Sequence, residues 1–218
     1  MESLEKIKRL PLIIMSIMTI MSFANLFGFN ISEVVIPLGV VFFFINKAVE
    51  KELFKDSGLD IKSVRTDLKN KKIWYWIALP FIMDAICISI SLLFLPEYIE
   101  FETIRAGSFV PIELSISSFI LFFVFALGEE IAWRAFFQNQ LNKVMPIVPV
   151  LIISSLLFSF GHYKEGNIFV VAYGIFFIFI NSLLYGIIFD KTKNAWVSAL
   201  THFSANIFEV IIFVLISK

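Results

Sequence analysis

The sequence predicts an all-α, polytopic helical membrane protein, and three observations carry that expectation. Hydrophobic residues make up 59% of its 218 positions, with a mean hydropathy of +0.88. Charged residues are only 17% of the chain, and Phe occurs 27 times. The apolar residues gather in runs of about 20, the length a helix needs to cross a bilayer, rather than in the alternating segments of about 10 typical of barrel strands. A soluble domain of this size needs a polar exterior that such a composition does not supply. A disordered chain would be poor in aromatics and rich in charge.

Seven runs fit the length, or eight if the last is two segments, and they leave room for one membrane domain over 1–218. A charged head, 1–9, precedes the first run at 10–29. Ser22-Phe23-Ala24 is a faint match to a signal cleavage site, but Glu2 and Glu5 in the head and the later spans argue against removal. The second run is 31–48. The one long polar segment, 49–72, follows; Ile61, Val64 and Leu68 recur there at helical spacing. That spacing suits a helix lying on the membrane surface, and a solvated loop is the alternative. The third run, 73–95, ends at Pro96 and gives way to an acidic loop with Glu97, Glu100 and Glu102. The fourth helix, 112–141, is about 45 Å long, more than the hydrocarbon core requires. The fifth, sixth and seventh are 146–161, 167–189 and 195–216, so a core at about 112–216 carries the polar motifs described next.

Basic residues set the expected orientation. With the N-terminus cytoplasmic, fourteen Lys and Arg fall in inner segments and three in outer ones. Net charge is zero, which gives no argument for nucleic acid as a partner. The single cysteine, Cys87, cannot form an internal disulfide.

Ionisable groups inside a bilayer are costly, so each is a functional candidate. Three pairs stand one helical turn apart: Glu130 and Arg134, with Glu129 about 100° round the same helix; Phe158 and His162; and His202 and Asn206. His162 and His202 are the only histidines. Counted from the inner helix ends, Glu129, His202 and Asn206 lie at similar depths, and His162 is the outlier. A buried carboxylate can act as general base near neutral pH, and a nearby His can share the water or protonate the leaving amine. A second His and an Asn can donate to a developing oxyanion. No Ser or Cys is paired with these groups, which favours water as nucleophile. Two His and a carboxylate also suit zinc with an open fourth position, although HExxH is absent. Asp84 and Asn181 read as packing residues, or as lining for a cavity. Glu209 shares a helix face with His202 and Asn206. Trp133 reads as an interfacial anchor, or as cover for the site.

Glu129-Glu130-x-x-x-Arg134, Phe158-x-x-x-His162 and His202-x-x-x-Asn206, in that order on separate helices, resemble the motifs of the CAAX protease and bacteriocin-processing (CPBP, or Abi) intramembrane proteases. These are also called type II CAAX prenyl endopeptidases. The resemblance implies a helical frame around a conical intramembrane cavity reached from the cytosol. It implies Glu129 and His162 as activators of water, and His202 and Asn206 as the oxyanion hole. Glu130, Arg134 and Phe158 would be structural support. It implies no cofactor, with zinc as the unfavoured variant. The implied partners are the lipid bilayer and a hydrophobic or prenylated peptide or protein, in a bacterial or archaeal plasma membrane. A non-proteolytic immunity or scaffold protein of the same family is the alternative.

Overall fold

The computed structural model describes residues 7–29, 31, 34–51, 57–107, 111 and 115–216. Its elements are α1 (Arg9–Ser22), α2 (Val35–Glu50), α3 (Ile73–Phe94), α4 (Glu97–Gly107), α5 (Ile116–Asn142), α6 (Ile147–Gly161), α7 (Ile168–Thr192) and α8 (Ala195–Ile216). No strand occurs among the described residues, and the all-helical membrane fold stands. Lys6, Lys55, Lys218 and the expected start of the fourth helix at Ile112 lie outside the described residues.

Four helices, α3, α5, α7 and α8, are long and apolar enough to cross a membrane. The other three expected helices, α1, α2 and α6, are shorter, with 14, 16 and 15 residues. α1 is nevertheless an integral part of the packing, since Met18 is fully buried against α2 and α5. Large apolar side chains on the outside, including Tyr75, Phe94, Ile116 and Phe169, form the surface that lipid covers.

The main core gathers Met15, Met18, Phe43, Ala132, Phe136, Phe158 and Phe189 from α1, α2, α5, α6 and α7. At its centre α5 leaves α-helical geometry: Ile131–Gln138 is a π-helix, and all eight residues are buried. Two side chains on this stretch bond to the backbone of α7. Arg134 Nη2 donates to the Ser182 carbonyl at 3.1 Å, and Gln138 Nε2 donates to the Gly186 carbonyl at 3.0 Å. On its other side the stretch meets α2 at Gly39. A Cβ built on Gly39 would stand 2.6 Å from Ala132 Cβ and 3.0 Å from Ala132 Cα, so only glycine admits this approach.

Two polar segments differ from expectation. The acidic loop after Pro96 is instead the helix α4, with Tyr98, Ile99 and Glu102 buried against the bundle. The carboxylates Glu97 and Glu100 occupy its first turn, where the helix dipole favours them, and Arg105 its last. The basic segment is neither a surface helix nor a free loop over residues 57–72. It makes one helical turn, Val64–Asp67, and packs Val64 and Leu68 on Ile73, Ile188 and Val197, while Ile61 stays exposed. Asn194, buried at the α7–α8 junction, holds it down. Its Nδ2 donates to the Asp60 carbonyl, Ser63 Oγ and Asp67 Oδ2, and its Oδ1 accepts from Trp196 N to cap α8. The Gly58 carbonyl accepts from Ala195 N at 2.7 Å.

Replacing Gly39 by Ala should lower the melting temperature in detergent. A helix-propensity gain of about 1 kcal/mol is outweighed by overpacking of about 1–3 kcal/mol. Gly161→Ala, where a Cβ meets nothing within 4 Å, serves as the reference and should melt no lower than wild type. Asn194→Ala should free the 57–72 segment, read as faster limited proteolysis at its lysines and a stability loss of about 1–3 kcal/mol. Unchanged cleavage would mean that the apolar contacts of Val64 and Leu68 suffice.

Candidate active site

All eight helices contribute to the lining of a cavity of about 710 Å³. Glu129, Phe158, His162, His202 and Asn206 all line it. Three helices thus bring the three sequence motifs to one wall. Glu130 and Arg134 lie behind that wall, both fully buried.

The π-helix begins immediately after Glu130, so the two carboxylates sit at the junction of two helix geometries. Glu129 points into the cavity. Its Oε1 is 4.0 Å from His162 Nε2, and its Oε2 is 3.6 Å from His202 Nε2. Glu130 points the other way, taking Arg134 Nε at 3.2 Å and His202 Nδ1 at 3.1 Å. Arg134 also donates to Ser182 Oγ at 2.9 Å, and its guanidinium carbon stands 5.4 Å over the Phe158 ring.

His162 reaches the site because α6 is short. The turn at 143–146 is nearly equidistant along the chain from Glu129 and from His162, so the depth mismatch expected from the sequence is absent. The His162 tautomer follows from its partner. Nδ1 lies 2.8 Å from the Phe158 carbonyl, which can only accept, so Nδ1 carries the hydrogen and Nε2 turns a lone pair toward Glu129. The Phe158 ring packs on His162 with centroids 4.5 Å apart. His202 is held on both sides. Its Nδ1 hydrogen goes to Glu130, and Tyr185 of α7 stacks on the ring at 4.4 Å and 19°. Asn206 follows His202 by one turn on the same wall of α8.

Trp133 is not an interfacial anchor. It is buried, packs edge-on to Phe158 at 6.0 Å, and forms part of the cavity wall near Glu129. Asp84, Asn181 and Glu209 line the same cavity, and Asn181 Nδ2 donates to Asp84 Oδ1. The cavity also takes in α4, which the sequence did not reveal as a helix. Glu102 Oε2 accepts from Arg105 Nε and Nη2 at 2.8 and 2.6 Å. Burial works against the Arg105 guanidinium, and the adjoining Glu102 carboxylate more than compensates, holding it above its ordinary value. Burial likewise pushes the Tyr98 hydroxyl well up. Sequence inspection missed Tyr185 and Ser182: Tyr185 is one polar residue in an apolar run, and Ser182 is a small hydroxyl next to the more conspicuous Asn181. Among the described residues, no group of three or more His, Cys, Asp or Glu is arranged to hold a metal ion.

The arrangement can hold a water between a carboxylate and a neutral imidazole. It offers a second imidazole and a carboxamide on the same wall. Neither the curated proteins nor the solved structures compared with the chain match it. A family model does: the one described as type II CAAX prenyl endopeptidase Rce1-like matches residues 111–208, a stretch that takes in all three motifs. Over a little under half of its length, from Pro111 to Phe208, the chain is thus similar to the Rce1-like type II CAAX prenyl endopeptidases, a protease family.

Proposed function

We propose that the chain is a glutamate-dependent intramembrane endopeptidase that cuts a peptide bond near the terminus of a membrane-associated peptide or protein. The observation that carries this is the Glu129 carboxylate standing between His162 Nε2 and His202 Nε2, at 4.0 and 3.6 Å, on the wall of an intramembrane cavity. Glu129 and His162 hold the water. His162 Nε2 accepts one of its hydrogens, and Glu129 takes the other as the water oxygen attacks the scissile carbonyl carbon. The carbonyl oxygen becomes an oxyanion. His202 Nε2 and the Asn206 carboxamide donate to it. Because the Nδ1 hydrogen is already given to Glu130, His202 donates from Nε2 as an imidazolium, and the carboxylates on either side balance its charge. Collapse breaks the C–N bond, and the proton held by Glu129 passes to the leaving nitrogen. No metal takes part in these steps.

Glu130, Arg134 and Phe158 are positioning residues. Glu130 fixes the ring of His202, Arg134 compensates Glu130, and the Phe158 carbonyl fixes the tautomer of His162. Tyr185, stacked on His202, joins them. The basic residues 47, 51, 62, 65, 69, 71 and 72 support a cytoplasmic N-terminus and a substrate reached from that side.

Glu129→Gln and His162→Ala should each reduce cleavage of a quenched peptide library by at least about 100-fold, and a chelator should leave the wild-type rate unchanged. Wild-type rates in both variants overturn the assignment. Loss of cleavage with chelator moves it to a zinc enzyme. The adjacent carboxylates should separate in stability. Glu130→Gln uncovers a buried guanidinium and should cost about 3–5 kcal/mol, whereas Glu129→Gln, which leaves His202 its hydrogen bond to Glu130, should cost less.

A further inference from the structure

His162 stands where α-helical hydrogen bonding runs out. It follows the last turn of α6, and there the ladder tightens. His162 N donates to the Ser159 carbonyl at 3.1 Å, and Tyr163 N to the Phe160 carbonyl at 3.0 Å. Both bonds run back three residues rather than four. The imidazole is tied to this same turn through the Phe158 carbonyl, so it moves with the end of α6. Glu129, by contrast, lies in the interior of α5. Its Oε1 is 4.0 Å from His162 Nε2, and the two can share a water only while the end of α6 keeps its place.

The last carbonyls of a helix have no partner within it. The one that follows His162 finds its partner on a distant segment. Asn25 Nδ2 donates to the Tyr163 carbonyl at 3.1 Å, across 138 positions of sequence. A carbonyl only accepts, so the amide nitrogen is the atom that faces it. Asn25 lies on the short 3₁₀ turn Ala24–Phe27 that follows α1. Gly28 closes that turn with a φ of 79°, and its N donates to the Asn25 carbonyl at 3.2 Å. Two residues before Asn25, the Phe23 ring packs on Phe160 with centroids 5.2 Å apart. The end of α1 thus grips α6 by an apolar contact just before His162 and by a hydrogen bond just after it. The Asn25 carboxamide also leaves its Oδ1 buried and without a hydrogen bond. A leucine of similar shape avoids that cost, so packing alone does not account for the residue.

We propose that Asn25 is a positioning residue for His162, its bond to the Tyr163 carbonyl setting the distance from the imidazole to Glu129. The proposal rests on the endopeptidase reading above. It places part of the active-site scaffold outside the stretch 111–208 that is similar to the Rce1-like proteases. Asn25 also lines the cavity, so a contact with substrate is the rival role.

The test uses the full chain in detergent. It compares wild type with Asn25→Leu, which keeps the shape and removes the donor, and with Asn25→Gln, which keeps a donor. The first readout is cleavage of the quenched peptides. A misplacement of about 1 Å costs as much as about 100-fold, so Asn25→Leu should lower kcat by at least about tenfold. Its KM should stay within about twofold of wild type. Asn25→Gln should bring kcat back to within about threefold. The second readout is the nitrogen-15 spectrum of histidine-labelled protein. The chain has only two histidines, so His162→Ala assigns both sets of ring signals. In Asn25→Leu the His162 signals should shift or broaden while those of His202 stay in place. A wild-type kcat, or His162 signals that do not move, overturns the assignment. So does a rise in KM alone, which marks a substrate contact, and so does an equal change at both histidines, which marks general loosening. Asn25→Ala takes the place of Asn25→Leu if the latter does not fold. If the wild type cuts no peptide, the endopeptidase reading fails and the spectrum alone decides. Displaced His162 signals then uphold the positioning role, and unmoved ones overturn it.

Discussion

The buried pair of Glu130 and Arg134 is the interaction on which the rest of the site depends. Both side chains are fully withdrawn from solvent. Removing two charges from water costs several kcal/mol per ion, and mutual attraction repays this only with good geometry and further hydrogen bonds. Here the further bonds reach outward. Arg134 takes Ser182 on α7 and lies over Phe158 on α6, and Glu130 takes His202 on α8. One ion pair on α5 thereby fixes the relative placement of three other helices. Its value lies in that geometry, since an apolar pair of equal volume would pack as well but would leave His202 unheld.

Two neighbouring carboxylates thus have opposite surroundings. Glu130 is enclosed by a guanidinium and an imidazole, whereas Glu129 faces open space with two imidazole nitrogens just beyond hydrogen-bond distance. Adjacent positions on a helix differ by about 100° in direction, which suffices to put one against the core and the other on the cavity. Environment separates the chemistry of groups that are identical in the sequence.

Much of this was legible beforehand, for identifiable reasons. Apolar runs name helices in a membrane protein because no other backbone arrangement except a closed barrel satisfies its hydrogen bonds there. The i, i+4 pairs name faces, and Glu129, His162, His202 and Asn206 do share a cavity. What escaped detection depends on contacts between segments distant in sequence. α4 reads as an acidic loop because its pattern is short and rich in Glu, and its helix is stabilised by burying Tyr98 and Ile99. The 57–72 segment docks through Asn194, more than a hundred residues away. Tyr185 and Ser182 acquire their roles only when α7 meets α5 and α8. The Trp133 ring turns inward because Phe158 and Phe137 make room for it, which an interfacial anchor would not need.

The π-helical stretch at Ile131–Gln138 has a consequence for how the chain tolerates change in length. In an α-helix each residue turns the chain by about 100°, and a wider turn takes up an extra residue without breaking the rod. Regularising this stretch into α-helix at unchanged length would turn Glu129 and Glu130 by about 100° relative to Gln138 and everything after it. Either the cavity would lose its carboxylate or α7 would lose its anchor at Gly186. The two ends of α5 are therefore tied to each other through chain length itself: one residue fewer would be absorbed by the return to regular α-helix, whereas one residue more would uncouple the cavity from its scaffold.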